Sequence, residues 1–273
     1  MRLIAAAASL LLLAGEASAH SPYGVFPESE TVFRQLTADP RRVALGASYY
    51  RLDGKDRSDV ALGHSWGMSR WFSNGDYWAW QWNIEAMAYS RFTISGALNS
   101  FETVDFTGNL PIGIRHGGFS ARAMIFHESS HLGDDYIRDT KDLGIRYSVD
   151  GVRATASIEP LAWTRLYAGG TYLLHTIPDP ARWSAQCGVE LTSKPIGRSK
   201  KYPLRVFVAQ DLKYNEATRY APNSRTIAGV SAGFDGVPRS MRFSIGHFDG
   251  HSPFGQFYKR KERYNDVLIS FHF

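Results

Sequence analysis

Between Phe126 and Asp135 the sequence reads Phe-His-Glu-Ser-Ser-His-Leu-Gly-Asp-Asp, which packs two histidines, two serines and three acids into ten residues. A serine hydroxyl becomes a nucleophile only beside a base, and the base needs a third group to fix its tautomer. On a β-strand His127 and Ser129 point to one face, about 6.6 Å apart along the axis. Their parity is that of Phe119, Ala121, Ala123 and Ile125, while Arg122 and Glu128 share the other face. A reactive pair on an apolar face suits cleavage of an ester within a lipid. Asp139 is the first candidate for the third group, because its parity continues that of Leu143 and Ile145, and Asp142 is the second. A purely structural place for His127 and Ser129 at a strand end stays open. So does a loop site built from Ser130, His131, Asp134 and Asp135, whose carboxylates could hold a hard cation such as calcium, although no calcium-loop spacing is present.

The elements that carry these residues alternate with period two. Trp78, Trp80, Trp82, Ile84, Ala86 and Ala88 share one face, opposite Gln81, Asn83 and Glu85. Val104, Phe106, Leu110, Ile112 and Ile114 alternate with Asp105, Thr107 and Asn109, and Trp183, Ala185, Cys187, Val189 and Leu191 with Ser184, Gln186 and Glu190. Helical spacing would scatter these sets around a cylinder, so the pattern predicts strands. Twelve are expected, over 42–51, 58–70, 77–92, 103–114, 118–130, 141–159, 163–175, 183–193, 202–214, 224–234, 239–250 and 264–273. Within the sixth, Leu143, Ile145, Tyr147 and Val149 share a parity that Val152, Ala154, Ala156 and Ile158 reverse, so a bulge is expected at Asp150-Gly151. An even number of alternating segments with aromatic ends fits an all-β fold, an antiparallel transmembrane β-barrel; a soluble sandwich also alternates and is the competing architecture. Glu85, Glu190, Arg122, Arg146 and Arg205 are expected to face the lumen.

The N-terminus suggests the compartment. Met1-Arg2, the apolar run Leu3 to Gly15 and Ala17-Ser18-Ala19 read as a signal peptide over 1–19, followed by a periplasmic leader over 20–41 and a barrel over 42–273. One cysteine in 273 residues excludes an internal disulfide and any multi-cysteine zinc pattern. The net charge of +5 and 21% charged residues match no nucleic-acid-binding module. Aromatic residues reach 14%, which favours interfacial girdles. Lys259, Arg260, Lys261 and Arg263 precede the last strand, where they would meet outer-membrane lipids and phosphorylated lipopolysaccharide or simply be solvated. The alternation that ends at Phe273 resembles the signal read by the barrel-assembly machinery of a Gram-negative outer membrane.

Two resemblances add to this reading. The His127-x-Ser129 pair is similar to the sites of outer-membrane phospholipase A and of the lipid A deacylase, families in which His-x-Ser-Asn carries the reaction and an Asn or Glu on the next strand orients the histidine. That likeness implies Ser129 as nucleophile and His127 as base, and it makes calcium relevant. The chain departs from it twice, with Ser130 in place of the Asn and Lys141 at the spacing of the orienting residue. More broadly, Leu36-Thr37-Ala38-Asp39-Pro40-Arg41, Ser129-Ser130-His131-Leu132-Gly133-Asp134 and Arg165-Leu166-Tyr167-Ala168-Gly169-Gly170 resemble a bacterial family labelled domain of unknown function 1207. This second likeness implies a secreted barrel with no assigned activity. No cofactor is expected beyond the calcium question. A small pore or envelope-structural barrel is the leading expectation, and a lipid acyl hydrolase the alternative.

Overall fold

A computed structural model describes residues 23–25, 32–73, 78–95, 98–197, 202–234 and 237–272. The expected signal peptide and Phe273 lie outside them. Among the described residues thirteen strands follow one another: β1 (Tyr23–Val25), β2 (Leu45–Leu52), β3 (Lys55–Phe72), β4 (Ala79–Ser95), β5 (Leu98–His116), β6 (Phe119–Leu132), β7 (Tyr147–Leu161), β8 (Thr164–Ile177), β9 (Trp183–Thr192), β10 (Leu204–Asn215), β11 (Pro222–Phe234), β12 (Val237–His251) and β13 (Lys261–His272). From β2 to β13 each strand pairs antiparallel with the next, and β13 returns to β2, which closes a barrel of twelve. The short β2 leaves the far half of β3 without a partner on that side. There β1 pairs instead, Val25 opposite Ser69 and Tyr23 opposite Trp71.

The barrel is inverted relative to a soluble core. Leu62, Trp66, Phe106, Ile125, Phe243 and Ile245 are exposed on the outside, while Glu85, Arg91, Asp105 and Asp211 are fully buried inside. An outer surface this apolar needs lipid around it, and this excludes the sandwich alternative. At the end with the short connections 117–118 and 162–163, here the turn end, Trp71 stacks with Trp80 and Trp78 lies against His116 and Phe119. The opposite, loop end carries 133–146, 178–182, 216–221 and 252–260.

The sixth expected strand is shorter than its pattern. Asp134–Thr140 forms a helix, α1, closed by Lys141 in the left-handed region, and β7 begins only at Tyr147. Leu143 alternates with Ile145 but is 85% exposed in a loop where Gly144 takes φ 71°. The register does shift at Asp150/Gly151, yet the extra residue is Leu174 on β8, since Asp150 pairs with His175 and Gly151 with Leu173. Consequently β7 keeps one parity, with Val149 turned inward and Asp150 outward beside Val152 and Ala154.

Residues expected as a periplasmic leader lie, from Val32 onward, inside the barrel. Phe33, Leu36, Ala38 and Asp39 are buried there. The segment rises from the turn end, where Arg115 Nε donates to Val32 O (2.8 Å) and Arg34 pairs with Glu159 (2.9 Å). Higher up, Gln35 donates to Glu85 (3.0 Å), Thr37 N–H donates to Glu190 (2.6 Å), and Asp39 pairs with Lys213 (2.5 Å). Arg41 then reaches both Asp105 (2.9 Å) and Glu128 (3.1 Å). Burial alone would raise the Asp39 pKa, but Lys213 and Arg153 outweigh it and hold this carboxyl well below the usual range. Glu85, Glu190 and Arg122 face the lumen as expected; Arg146 is exposed in the loop before β7, and Arg205 is exposed near the turn end.

Candidate functional site

Successive outward side chains on β6 are Ala121, Ala123, Ile125, His127, Ser129 and His131. On β7 they run, in the opposite direction, Ala156, Ala154, Val152, Asp150 and Ser148. The ladder puts Ile125 against Val152, His127 against Asp150 and Ser129 against Ser148. On β6 and β7 apolar residues therefore give way to polar ones at one step, the row of His127 and Asp150, while on β5 Phe106 and Val104 continue the apolar face one and two rows higher. The opposite wall makes the same change: above Ile245 and Val267, His247 Nδ1 lies 2.7 Å from Asn265 Oδ1. On these two opposite pairs of strands the apolar outer surface gives way to polar side chains at those rows.

At that height His127 Nδ1 meets Asp150 Oδ1 at 2.7 Å, with the two side chains 54% and 46% exposed. A carboxylate bound at Nδ1 fixes the proton there and leaves Nε2 free as a base. Ser129 stands two residues along the same strand face, with Phe106 and Ser148 beside it on the neighbouring strands. On the other side of His127 the β5 position is Gly108, where even a Cβ would meet nothing within 4 Å. The ring is thus approachable from the β5 side.

The expected third groups are elsewhere. Asp139 lies on α1 and pairs with Arg138 (2.9 Å), while Asp142 accepts from Gly144 N–H (2.9 Å) and faces Arg260 (3.5 Å). Neither lies beside His127, where Asp150 stands instead. The signal for it was available, an acid on the lipid-facing parity of β7, but the assumed bulge in that strand hid it.

The loop site does not assemble either. Ser130 is buried inside the barrel, where it donates to Asp105 and accepts from Gln256 N–H (2.9 Å), whereas His131 is exposed on the outside. Asp135 anchors α1: the Phe101 N–H (3.1 Å) and Arg138 (2.8 Å) hold its pKa below the usual value. Asp134 is exposed at the start of α1. Among the described residues no group of three or more His, Cys, Asp or Glu side chains is set to hold a metal ion.

The family model described as a protein of unknown function, DUF1207, matches residues 6–273. This chain belongs to the DUF1207 family. No protein with a curated description matches this DUF1207 member in sequence. Among solved structures, outer membrane phospholipase A from Escherichia coli is similar at 11% identity and a TM-score of 0.57, over 84% of this chain and 90% of that one. The Salmonella typhi outer membrane phospholipase dimer with bound calcium is similar at 11% identity and 0.55, over 86% and 94%. At such identity the likeness is one of fold, and it makes this DUF1207 barrel an outer-membrane type.

Proposed function

We propose that this barrel is a serine-type acyl hydrolase of outer-membrane lipids, acting from its lipid-facing surface. The observation that carries the reading is the His127–Asp150 bond at the edge of the apolar outer surface of β6 and β7, with Ser129 on the same face. The acyl esters of a lipid lie at that boundary between headgroup and hydrocarbon. Ser129 Oγ attacks the ester carbonyl while His127 Nε2 takes its proton, and Asp150 stabilises the imidazolium that forms. His127 then returns the proton to the departing alcohol, and a water activated by the same nitrogen releases the fatty acid and regenerates Ser129. The similar phospholipases named above support the class of substrate. The segment Val32–Ala44 in the lumen weighs against the alternative of a small pore, because its side chains occupy the path a solute would take.

The test is acyl release by the full chain refolded in detergent, offered mixed phospholipids or lipopolysaccharide, with calcium and with chelator. Free fatty acid that disappears in Ser129→Ala and in His127→Ala supports the hydrolase. No release from a folded barrel under either calcium condition defeats it and returns the reading to an envelope-structural barrel.

A further inference from the structure

On the inner side of the same wall, at the loop end, lies a cavity of about 210 Å³. Pro40 and Arg41 of the lumen segment and Pro253 and Tyr258 of the 252–260 loop line it. At about 30 Å³ per water it has room for roughly seven waters, the size of one small sugar. Its walls combine charged and amide side chains, among them Arg153, Lys213, Gln186 and Asn215, with the rings of Phe126 and Tyr147.

Most of these polar groups are already engaged. Lys213 and Gln186 both bind Asp39, and Glu128 is held by Arg41. Arg153 differs. Its Nε donates to Thr171 Oγ1 (3.0 Å) and its guanidinium lies over the Phe126 ring at 5.1 Å, yet no carboxylate comes within ion-pair distance of it among the described residues. Arg41, Arg91, Arg165 and Arg225 in the lumen each pair with an acid, whereas Arg42 donates to Thr37 O and Ser270 Oγ. The Arg153 guanidinium lines the cavity and acts on Asp39 from beyond ion-pair distance, and its planar fork suits a carboxylate or phosphate. Tyr147 and Tyr258, with ring centroids 6.0 Å apart, both line the cavity. Flat aromatic faces there suit the C–H face of a sugar ring, and the Asn215 amide and Thr171 hydroxyl suit its hydroxyls.

We propose that this vestibule binds a small hydroxylated anion entering from the loop end, a monosaccharide bearing a phosphate or carboxylate, with Arg153 gripping the acid group. The site is separate from Ser129, which faces the opposite side of the wall, and it stands whether or not that serine is catalytic.

The experiment is calorimetric titration of the full chain in detergent with glucose 6-phosphate, glucuronate, glucose and inorganic phosphate, with Trp183 fluorescence as a second readout. Both acidic sugars should bind, and glucose should bind more weakly by about tenfold or more. Arg153→Ala should cost about tenfold to a hundredfold, and Arg153→Lys less, with the barrel still folded by circular dichroism. If Arg153→Ala fails to fold, Arg153→Gln and the glucose comparison decide instead. Absence of binding by both acidic sugars, equal binding of glucose, or binding unchanged without the guanidinium overturns the proposal. Inorganic phosphate bound as tightly as glucose 6-phosphate overturns the sugar part of it.

Discussion

Replacing Lys213 with alanine would strand a buried carboxylate in the middle of the lumen. Asp39 is 5% exposed; among the described residues its ion pair is the 2.5 Å contact with Lys213, it accepts neutral hydrogen bonds from Arg41 N–H (2.8 Å) and Gln186 Nε2 (3.0 Å), and Arg153 acts on it from farther away. Breaking a buried pair on one side typically costs about 3–5 kcal/mol, because the remaining charge is left uncompensated. At about 1.4 kcal/mol per factor of ten, this multiplies the population of the detached lumen segment by about 10² to 4 × 10³. Amide hydrogen exchange read by mass spectrometry over residues 33–41 reports that population directly. At neutral pH, Lys213→Ala should lose about two to three and a half decades of protection there while strands β4 to β8 keep theirs. The double variant Asp39→Ala/Lys213→Ala should recover most of the loss, since it buries no lone charge. The pH dependence has a definite sign. The folded Asp39 pKa is depressed in the native chain, so its contribution is present above the unfolded value of about 3.9 and fades as pH falls through the folded one. Without Lys213 the largest influence holding the Asp39 carboxyl down is gone and burial acts against Arg153 and the hydrogen bonds alone, so acidification should relieve the penalty by protonating Asp39. Unchanged protection in Lys213→Ala, or a double variant as damaged as the single one, would refute this account of what holds the segment in place.

Three further outcomes follow from the geometry. Asp150→Ala should lower Ser129-dependent acyl release by about 10- to 100-fold, less than for a buried triad acid because this pair is half exposed, and the loss should fall on kcat rather than KM. Gly188→Val should destabilise the barrel by about 2–4 kcal/mol in urea titrations followed by tryptophan fluorescence, because its Cβ would collide with the Tyr167 hydroxyl and break the 2.6 Å bond from Tyr167 to Asp211. Gln256→Ala removes the side-chain bonds to Ser130 O (2.7 Å), Ile145 O (2.9 Å) and Ile145 N (2.9 Å), each worth about 1 kcal/mol, so limited proteolysis should cut the 252–260 loop faster with the barrel intact.

The wall was legible in the sequence because membrane and lumen impose opposite polarity on alternate residues. Trp80, Trp82 and Ile84 against Gln81, Asn83 and Glu85 leave no other assignment. Where that contrast stops, inference fails. Leu143 and Ile145 continue an alternating pattern by chance, through a loop that no lipid or lumen constrains. The lumen segment has no period because its partners sit on several different strands, so nothing within Val32–Arg41 announces where Asp39 or Arg41 goes. His127 and Ser129 were placed on their face correctly by parity alone. Asp150 was missed because its position depends on the β6–β7 register, and the long 133–146 connection sets no register by its length.

The lumen segment also has a mechanical meaning. It joins β4 through Gln35, β5 and β6 through Arg41, β9 through Thr37 and β10 through Asp39, so it works as a hub with spokes to widely separated staves. An empty barrel of this kind can flatten into an ellipse when the bilayer squeezes it, shearing each strand past its neighbour. A hub resists that deformation. The height of His127 relative to Asp150 is then protected against lateral pressure by contacts on the far side of the wall, none of which touches either residue.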